Sequence, residues 1–497
     1  MGECFRLHSR YNPQKEADNF ASSIKGCPLY IVITEPAESY LALSFRNKFP
    51  HARLLAIRYT KNLFLDKDCL FDYVWREGRG SITFFLINHI PDEYFSKTIF
   101  LSWAPSDNVW KEESKRVWQD IKNATQTFIA VLRTRSFFGK TWAKNIFRNI
   151  YFAKNIKKLE LKDVKDSIFL TSGQSLEDFI KDKRVASYLE KSFIVSASSS
   201  LASLSYHNIK PHLSLTTDGG YWAKEHLKRV GEGVQIFPLE GNVPYHILKS
   251  SPIAFLNYGS PLESYFFTHL NHPFLIGKRN GTVSGTAIDF LLENTKGNIF
   301  ISGLDLSFSK GFSHARPNEN LENALSYESR LKTLESMLAI SSFSSTSLAT
   351  YATWFSSLAK NKKNRLFRIG YEGLNIEGIK RISKKDFFDM CRQYNDIQYY
   401  NSKASTPSQK EKKICIFAFF DMIKKKIKEE SFFESIMNVK AKSIEKEFCQ
   451  LVDFPSYVSL IKEGENAKDI MLEKIRESVN IFIKTESEKI KEYEYNL

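Results

Sequence analysis

Apolar residues fall along this chain in short blocks separated by longer amphipathic stretches, a pattern that predicts alternating strands and helices. Leu29–Thr34 reads as a buried strand, Ala37–Lys48 as a helix and Arg53–Arg58 as a second strand. The apolar runs Ser81–Ile87 and Thr98–Trp103 extend the same sheet, so a first α/β domain is expected over residues 1–106. Two helical patterns, Asn108–Arg133 and Phe137–Lys154, follow as a spacer within 107–160. A more regular series opens at Ser167, with strands expected at Ile168–Thr171, Phe193–Ala197, Leu213–Thr217, Val234–Pro238, Ile253–Leu256 and Asn298–Ser302. Helical segments separate most of them, which implies a mostly parallel sheet covered on both faces, and this central α/β domain takes 161–345. The remainder, 346–497, is mainly helical, with a loop-like interruption at Ile369–Gly378 and a linker rich in Ser, Thr and Pro at Asn401–Gln409. No internal repeat of fixed period is present.

Composition narrows the class. With 42% hydrophobic residues, 22 Gly and 15 Pro in 497 residues, the chain has enough apolar material for real cores and is neither collagen-like nor disordered. Its 71 basic and 56 acidic residues leave a net charge of +15, which invites a nucleic-acid reading. The excess is diffuse, however. The densest run, Lys424-Lys425-Lys426 to Lys428, is followed at once by Glu429-Glu430, as on a solvated helix face, so no nucleic-acid partner is expected. The 40 Phe read as core filling. Six scattered cysteines show no C-x-x-C spacing, which argues against a zinc site and against a disulfide framework. The most apolar stretch, Ile414–Ile423, contains Asp421 and is fenced by lysines, so it predicts a core helix and no membrane insertion. Met1–Arg10 lacks a secretory apolar segment, and a soluble cytoplasmic protein is expected.

Ligands of parallel sheets sit outside the carboxyl ends of the strands, so the residues that follow each strand carry the chemistry. The first strand of the central series ends in Thr171-Ser172-Gly173-Gln174-Ser175-Leu176, where Gly173 permits a tight turn and Ser172 or Ser175 can cap a helix or help hold an anion. Asp218, followed by Gly219-Gly220, either caps the next helix or accepts hydrogen bonds from a ribose. Gly277-Lys278-Arg279-Asn280-Gly281-Thr282-Val283-Ser284-Gly285 precedes an apolar helix, a second candidate anion cradle in which Lys278 and Arg279 can pair with phosphate. The last strand ends in Gly303-Leu304-Asp305-Leu306, and His314 lies nine residues beyond Asp305; together they form a candidate acid/base pair.

The ordered set Ser172-Gly173-Gln174-Ser175-Leu176, Asn208-Ile209-Lys210-Pro211 leading to Asp218, Gly281-Thr282-Val283 and Gly303-Leu304-Asp305-Leu306 with His314-Ala315 resembles the motility-associated factor (Maf) flagellin glycosyltransferases. The central domain of that family is MptE-like, related to 6-hydroxymethylpterin diphosphokinase. Leu7-His8-Ser9-Arg10-Tyr11-Asn12-Pro13-Gln14-Lys15-Glu16-Ala17 resembles the family's opening, and Gly373-Leu374-Asn375-Ile376-Glu377-Gly378 its late glycine motif, so the resemblance covers most of residues 5–380. Several positions depart from it. Thr171 and Gln174 replace a Gly and a Pro, Ser198 stands where an Asn is common, His212 replaces an Asp, Leu304 a Gln, and the late Glu-Gly-Gly reads Tyr371-Glu372-Gly373. In the N-terminal domain, Glu35-Pro36-Ala37-Glu38 replaces a glycine-rich turn, and that first cleft is expected to hold no nucleotide.

The resemblance implies an N-terminal α/β domain, a Rossmann-like central domain similar to bacterial sialyltransferases and a helical C-terminal domain. It implies transfer of a nonulosonic acid of the pseudaminic or legionaminic type from a CMP-activated donor to Ser or Thr of flagellin in the cytoplasm, with no bound cofactor and no metal. On that reading Ser172, Gly173, Ser175, Ser198, Asp218, Gly281, Thr282, Ser284, Glu372 and Gly373 bind the donor, aided by Lys278, Arg279 or Lys210. Asp305 and His314 are the acid/base candidates, with His314 favoured as the base. Two other readings stand beside it: a pterin diphosphokinase-like enzyme acting with ATP, and a non-catalytic flagellin-binding or assembly protein derived from the transferase.

Overall fold

The computed structural model describes residues 5–280, 282–307, 314–336, 352, 354–355, 358, 360–392, 400–439 and 441–495. They form two compact units: Met1–Gly139 with Lys426–Ile481, and Lys140–Lys425 with Phe482–Leu497.

In the first unit, β1 (Tyr30–Thr34), β2 (Arg53–Arg58), β3 (Tyr73–Arg76) and β4 (Thr98–Ser102) make a parallel sheet of order β3-β2-β1-β4. Strand β1 is buried at every position, as its unbroken apolar run requires, with Ile31 and Ile33 in a core shared with Leu41, Phe45 and Leu54. The run Ser81–Ile87 is not a strand: it lies in the Ile82–His89 helix, and the third strand is the shorter Tyr73–Arg76. A short continuous apolar run has no period that separates strand from buried helix, so tertiary context decides. The two spacer helices expected from sequence are one, Lys111–Phe152. Between the two expected segments the Thr134 hydroxyl donates back to the Ala130 carbonyl at 3.0 Å, within the continuous helix.

The second unit is built on a nine-stranded parallel sheet. Its strands are β6 (Ser167–Leu170), β7 (Ile194–Ala197), β8 (Leu213–Leu215), β9 (Val234–Pro238), β10 (Ile253–Asn257), β11 (Phe274–Ile276), β12 (Ile299–Ser302), β13 (Leu366–Ile369) and β14 (Lys380–Ile382), in the order β11-β10-β9-β8-β7-β6-β12-β13-β14. Residues 366–382, expected in a helical region, thus supply two strands. A separate antiparallel ribbon pairs β5 (Lys157–Glu160) with β15 (Tyr400–Lys403), so part of the expected linker is strand. Cores fill both faces of the large sheet. Phe169, Val195 and Ile301 lie in one, Ile168, Leu170 and Phe300 in the other. Fully burying a side chain of this size contributes about 1.5–3 kcal/mol. Ile414–Ile423 falls in the Gln409–Lys426 helix with Ile416, Phe419, Phe420 and Ile423 buried. No helix among the described residues is long and apolar enough to cross a membrane.

Candidate functional site

The strand order reverses at β6: β7 to β11 extend to one side, and β12 to β14 to the other. In such sheets the ligand crevice lies where the connections leaving two adjacent strands diverge, which assigns the candidate crevice here to the carboxyl ends of β6 and β12. Two glycine turns meet there. The Gly173 amide donates to the Gly303 carbonyl at 2.7 Å, and the Thr171 amide to the Ser302 carbonyl at 2.9 Å. A side chain on Gly173 would place Cβ 2.2 Å from the Gly303 oxygen, and one on Gly303, at φ +84°, 2.1 Å from the Thr171 oxygen. Only glycine permits this approach at either position.

Asp305 is the strut of the crevice. Its buried carboxylate accepts the Ser175 amide at 2.7 Å and the Ser175 hydroxyl at 2.5 Å, and lies 3.7 Å from the Arg368 guanidinium. Arg368 is buried and donates to the carbonyls of Glu372 and Leu374. Burial lowers its pKa to about 10, against the opposing pull of Asp305. The Leu374 amide donates to the Asp305 carbonyl at 2.8 Å, and Gly373, at φ +77°, has no room for a Cβ against that same carbonyl. Ser175, Asp305, Glu372 and Gly373 are therefore brought together, but as the frame of the turns. The exposed Glu372 carboxylate accepts the Tyr371 amide of its own loop at 3.1 Å.

The Val283–Asn294 helix starts at the same place. Thr282 caps it by accepting the Gly285 amide at 2.9 Å, and the Ser284 hydroxyl lies 2.7 Å from that of Thr171, tying the first helical turn to the end of β6. Backbone N–H groups of a first turn carry partial positive charge and favour an anion. Gly281 lies outside the described residues. Lys278 is exposed and adds to the positive field, led by Lys362, that lowers the pKa of Glu293. Arg279 pairs with Glu240, its guanidinium 5.3 Å from the Tyr258 ring centre and 5.8 Å from that of Trp142. Asp218 is exposed and its Oδ1 accepts the Gly220 amide at 2.8 Å, closing a turn ahead of the Tyr221–His226 helix, whose N-cap Gly220 has no side-chain cap. Ser198 is buried where a short 3-10 turn leaves β7.

His314 stands beside the Ser172 turn, because the Ala315 amide donates to the Ser172 carbonyl at 2.7 Å. Burial lowers its pKa to about 4, with His226 adding to the shift and Glu319 opposing it, so the ring is neutral at pH 7. The carboxylate acting on His314 is thus Glu319, while Asp305 is engaged by Ser175 and Arg368. Sequence reasoning missed Arg368, the Glu240 partner of Arg279, and the His226–Glu319 pair, in which Nδ1 and Oε2 are 3.0 Å apart across 93 positions. No local signal announces pairs of such separation. Lys210 was expected near the donor, but it precedes β8 at the opposite, amino end of the sheet. There it lies 3.6 Å from Glu232 and lines an open cavity of about 450 Å³ with Asn155, Lys157 and His212. Among the described residues, no group of three His, Cys, Asp or Glu is arranged to hold a metal ion.

Residues 140–311 match the family described as 6-hydroxymethylpterin diphosphokinase MptE-like. An uncharacterized protein of Treponema pallidum (strain Nichols) is 32% identical over 399 residues, covering 80% of this chain and 88% of that protein. The chain belongs to the same family as this Treponema protein, a Maf/MptE-like family as the motifs indicated. The solved structure of a Maf glycosyltransferase from Magnetospirillum magneticum AMB-1 has the same fold: the TM-score is 0.53 at 11% identity, covering 100% of this chain and 87% of that one.

Proposed function

We propose that this protein is a glycosyltransferase that moves a nonulosonic acid of the pseudaminic or legionaminic type from a CMP-activated donor to Ser or Thr of flagellin in the cytoplasm. The observation that carries the reading is the β6/β12 crevice, with its paired glycine turns and the Thr171–Ser284 hydroxyl contact at a helix N-terminus, in a fold shared with a Maf glycosyltransferase. The donor phosphate sits against the first turn of the Val283–Asn294 helix, beside Thr171, Thr282 and Ser284. Lys278, Arg279 and Asp218 border the donor, and Ser172, Gly173, Ser175 and Gly373 keep the turns in shape under the control of Asp305. Preorganised donors of this kind stabilise the charge that develops on the departing CMP. No resident cofactor or metal is required on this reading.

Calorimetric titration of the full chain with CMP, ATP and a panel of nucleotide sugars tests the proposal. CMP-selective binding is expected, together with a mass increase on flagellin incubated with enzyme and donor. Silence across the panel overturns the reading. Binding of ATP with turnover of a hydroxymethylpterin replaces it by the diphosphokinase reading, which the family match at 140–311 favours.

A further inference from the structure

The largely buried pair His226–Glu319 is absent from every motif quoted above, yet lies near His314, whose pKa both of its members influence. His226 ends the Tyr221–His226 helix that follows the β8 turn, and Glu319 begins the Glu319–Ser326 helix, capped by Asn318. Three observations make the pair a built unit. His226 Nδ1 is 3.0 Å from Glu319 Oε2, with side-chain exposures of 11% and 8%. The Trp222 ring, one helical turn back, lies nearly parallel to the imidazole, with ring centres 6.4 Å apart and 28° between the planes. Glu319 Oε1 is buried without a hydrogen-bond partner among the described residues, so the orientation of this carboxylate is set largely by the imidazole. The arrangement assigns the proton to Nδ1 and leaves Nε2 as the basic nitrogen, for which no protein hydrogen bond is seen among the described residues.

We propose that Glu319 and His226 form a carboxylate–imidazole dyad in which His226 Nε2 takes the proton from the acceptor hydroxyl, while Glu319 positions the ring. The inference rests on the transferase reading above and assigns its base. As the new bond forms between the acceptor oxygen and the anomeric carbon, the bond from that carbon to the CMP phosphate oxygen breaks and CMP departs with the electron pair. The hydroxyl proton passes to Nε2, the Glu319 carboxylate stabilises the imidazolium, and the proton is then lost to water. His314 fits the role less well, since a ring held near pKa 4 is neutral but weakly basic. Other charged groups around the dyad are already matched. Lys228, whose charge reaches Glu319, pairs with Glu225, and Arg229 pairs with Glu322.

The test uses the full chain with a CMP-nonulosonate donor and purified flagellin. His226→Gln is expected to lower kcat by about 10²-fold or more, the usual weight of a general base, with CMP affinity unchanged. Glu319→Gln is expected to lower kcat by roughly tenfold or more. Glu319→Asp, though a poorer match in size than Gln, restores part of that loss because it keeps the carboxylate. Full transfer by His226→Gln, or a Glu319→Asp no better than Glu319→Gln, overturns the dyad while leaving the transferase reading intact. If the wild type neither binds CMP nor transfers, that reading fails instead, and diethylpyrocarbonate at a pH high enough to keep the imidazole neutral in both proteins then decides the dyad: mass spectrometry should find His226 carbethoxylated more slowly in Glu319→Gln than in wild type, and equal or faster reaction overturns it.

Discussion

The two parallel sheets of this protein share a topological device and use it differently. Each reverses strand order at an interior strand, β1 between β2 and β4 in one unit and β6 between β7 and β12 in the other. Beyond β6, glycines keep the turns close and side chains out of the way. Beyond β1 stands Glu35, and its carboxylate accepts Arg58 Nη1 at 3.1 Å and the amide and hydroxyl of Thr60 at 3.0 and 2.9 Å. Arg58 also donates to the Ala37 carbonyl, the Ser39 hydroxyl and Asp68, and both side chains of the central pair are 0% exposed. Ala37 and Ser39 hold left-handed backbone at φ +46° and +65°, so this turn is bent without glycine and held in place by the buried arginine. Topology puts a turn at the same place in both sheets, and side-chain volume and charge decide what fills it.

The contrast can be broken most severely at Arg58. Arg58→Ala leaves Glu35 without its cation in a dry interior, while Asp68 keeps Arg76, and a loss of about 3–5 kcal/mol in denaturant unfolding is expected. Nucleotide titration of the folded variant should be unchanged, and an effect on CMP binding would show that the first cleft takes part. Next in size is Gly303→Ala. The added methyl meets the Thr171 carbonyl at a positive φ, so about 1–3 kcal/mol of stability should be lost along with CMP binding, measured by the same unfolding curves and by calorimetry. Ser284→Ala is the mildest. It removes one hydroxyl contact worth about 0.5–1.5 kcal/mol, and a double-mutant cycle with Thr171→Val should recover that coupling in nucleotide affinity. A cycle without coupling would move the phosphate away from the β6 end.

Much of this was legible without coordinates, and the failures are instructive. Strands β6 to β10 and β12 are compact apolar runs followed by Gly, Ser or Asp, and both cues are local. Strands β13 and β14 carry Arg368, Lys380 and Arg381 within their short runs and so lack the uniform apolar signal, β11 is exposed at both ends, and all three exist because a neighbouring strand offers them a ladder. Asp305 was rightly singled out as a polar residue at a strand end. Its observed partners, Ser175 and Arg368, are set by the apposition of β6, β12 and β13, which nothing in its neighbourhood encodes.

By itself, then, the order of residues determined the alternation of strand and helix, the glycine turns at the strand ends and the family those turns signal. Each depends on interactions within a few residues: side-chain periodicity, the conformational freedom of glycine, the capping of a helix by Thr282. Only the tertiary structure decided the strand order, the position of the crevice, the closure of one cleft by Glu35 and Arg58, and the meeting of His226 with Glu319. Those are contacts between distant segments, and their geometry follows from how the sheets pack.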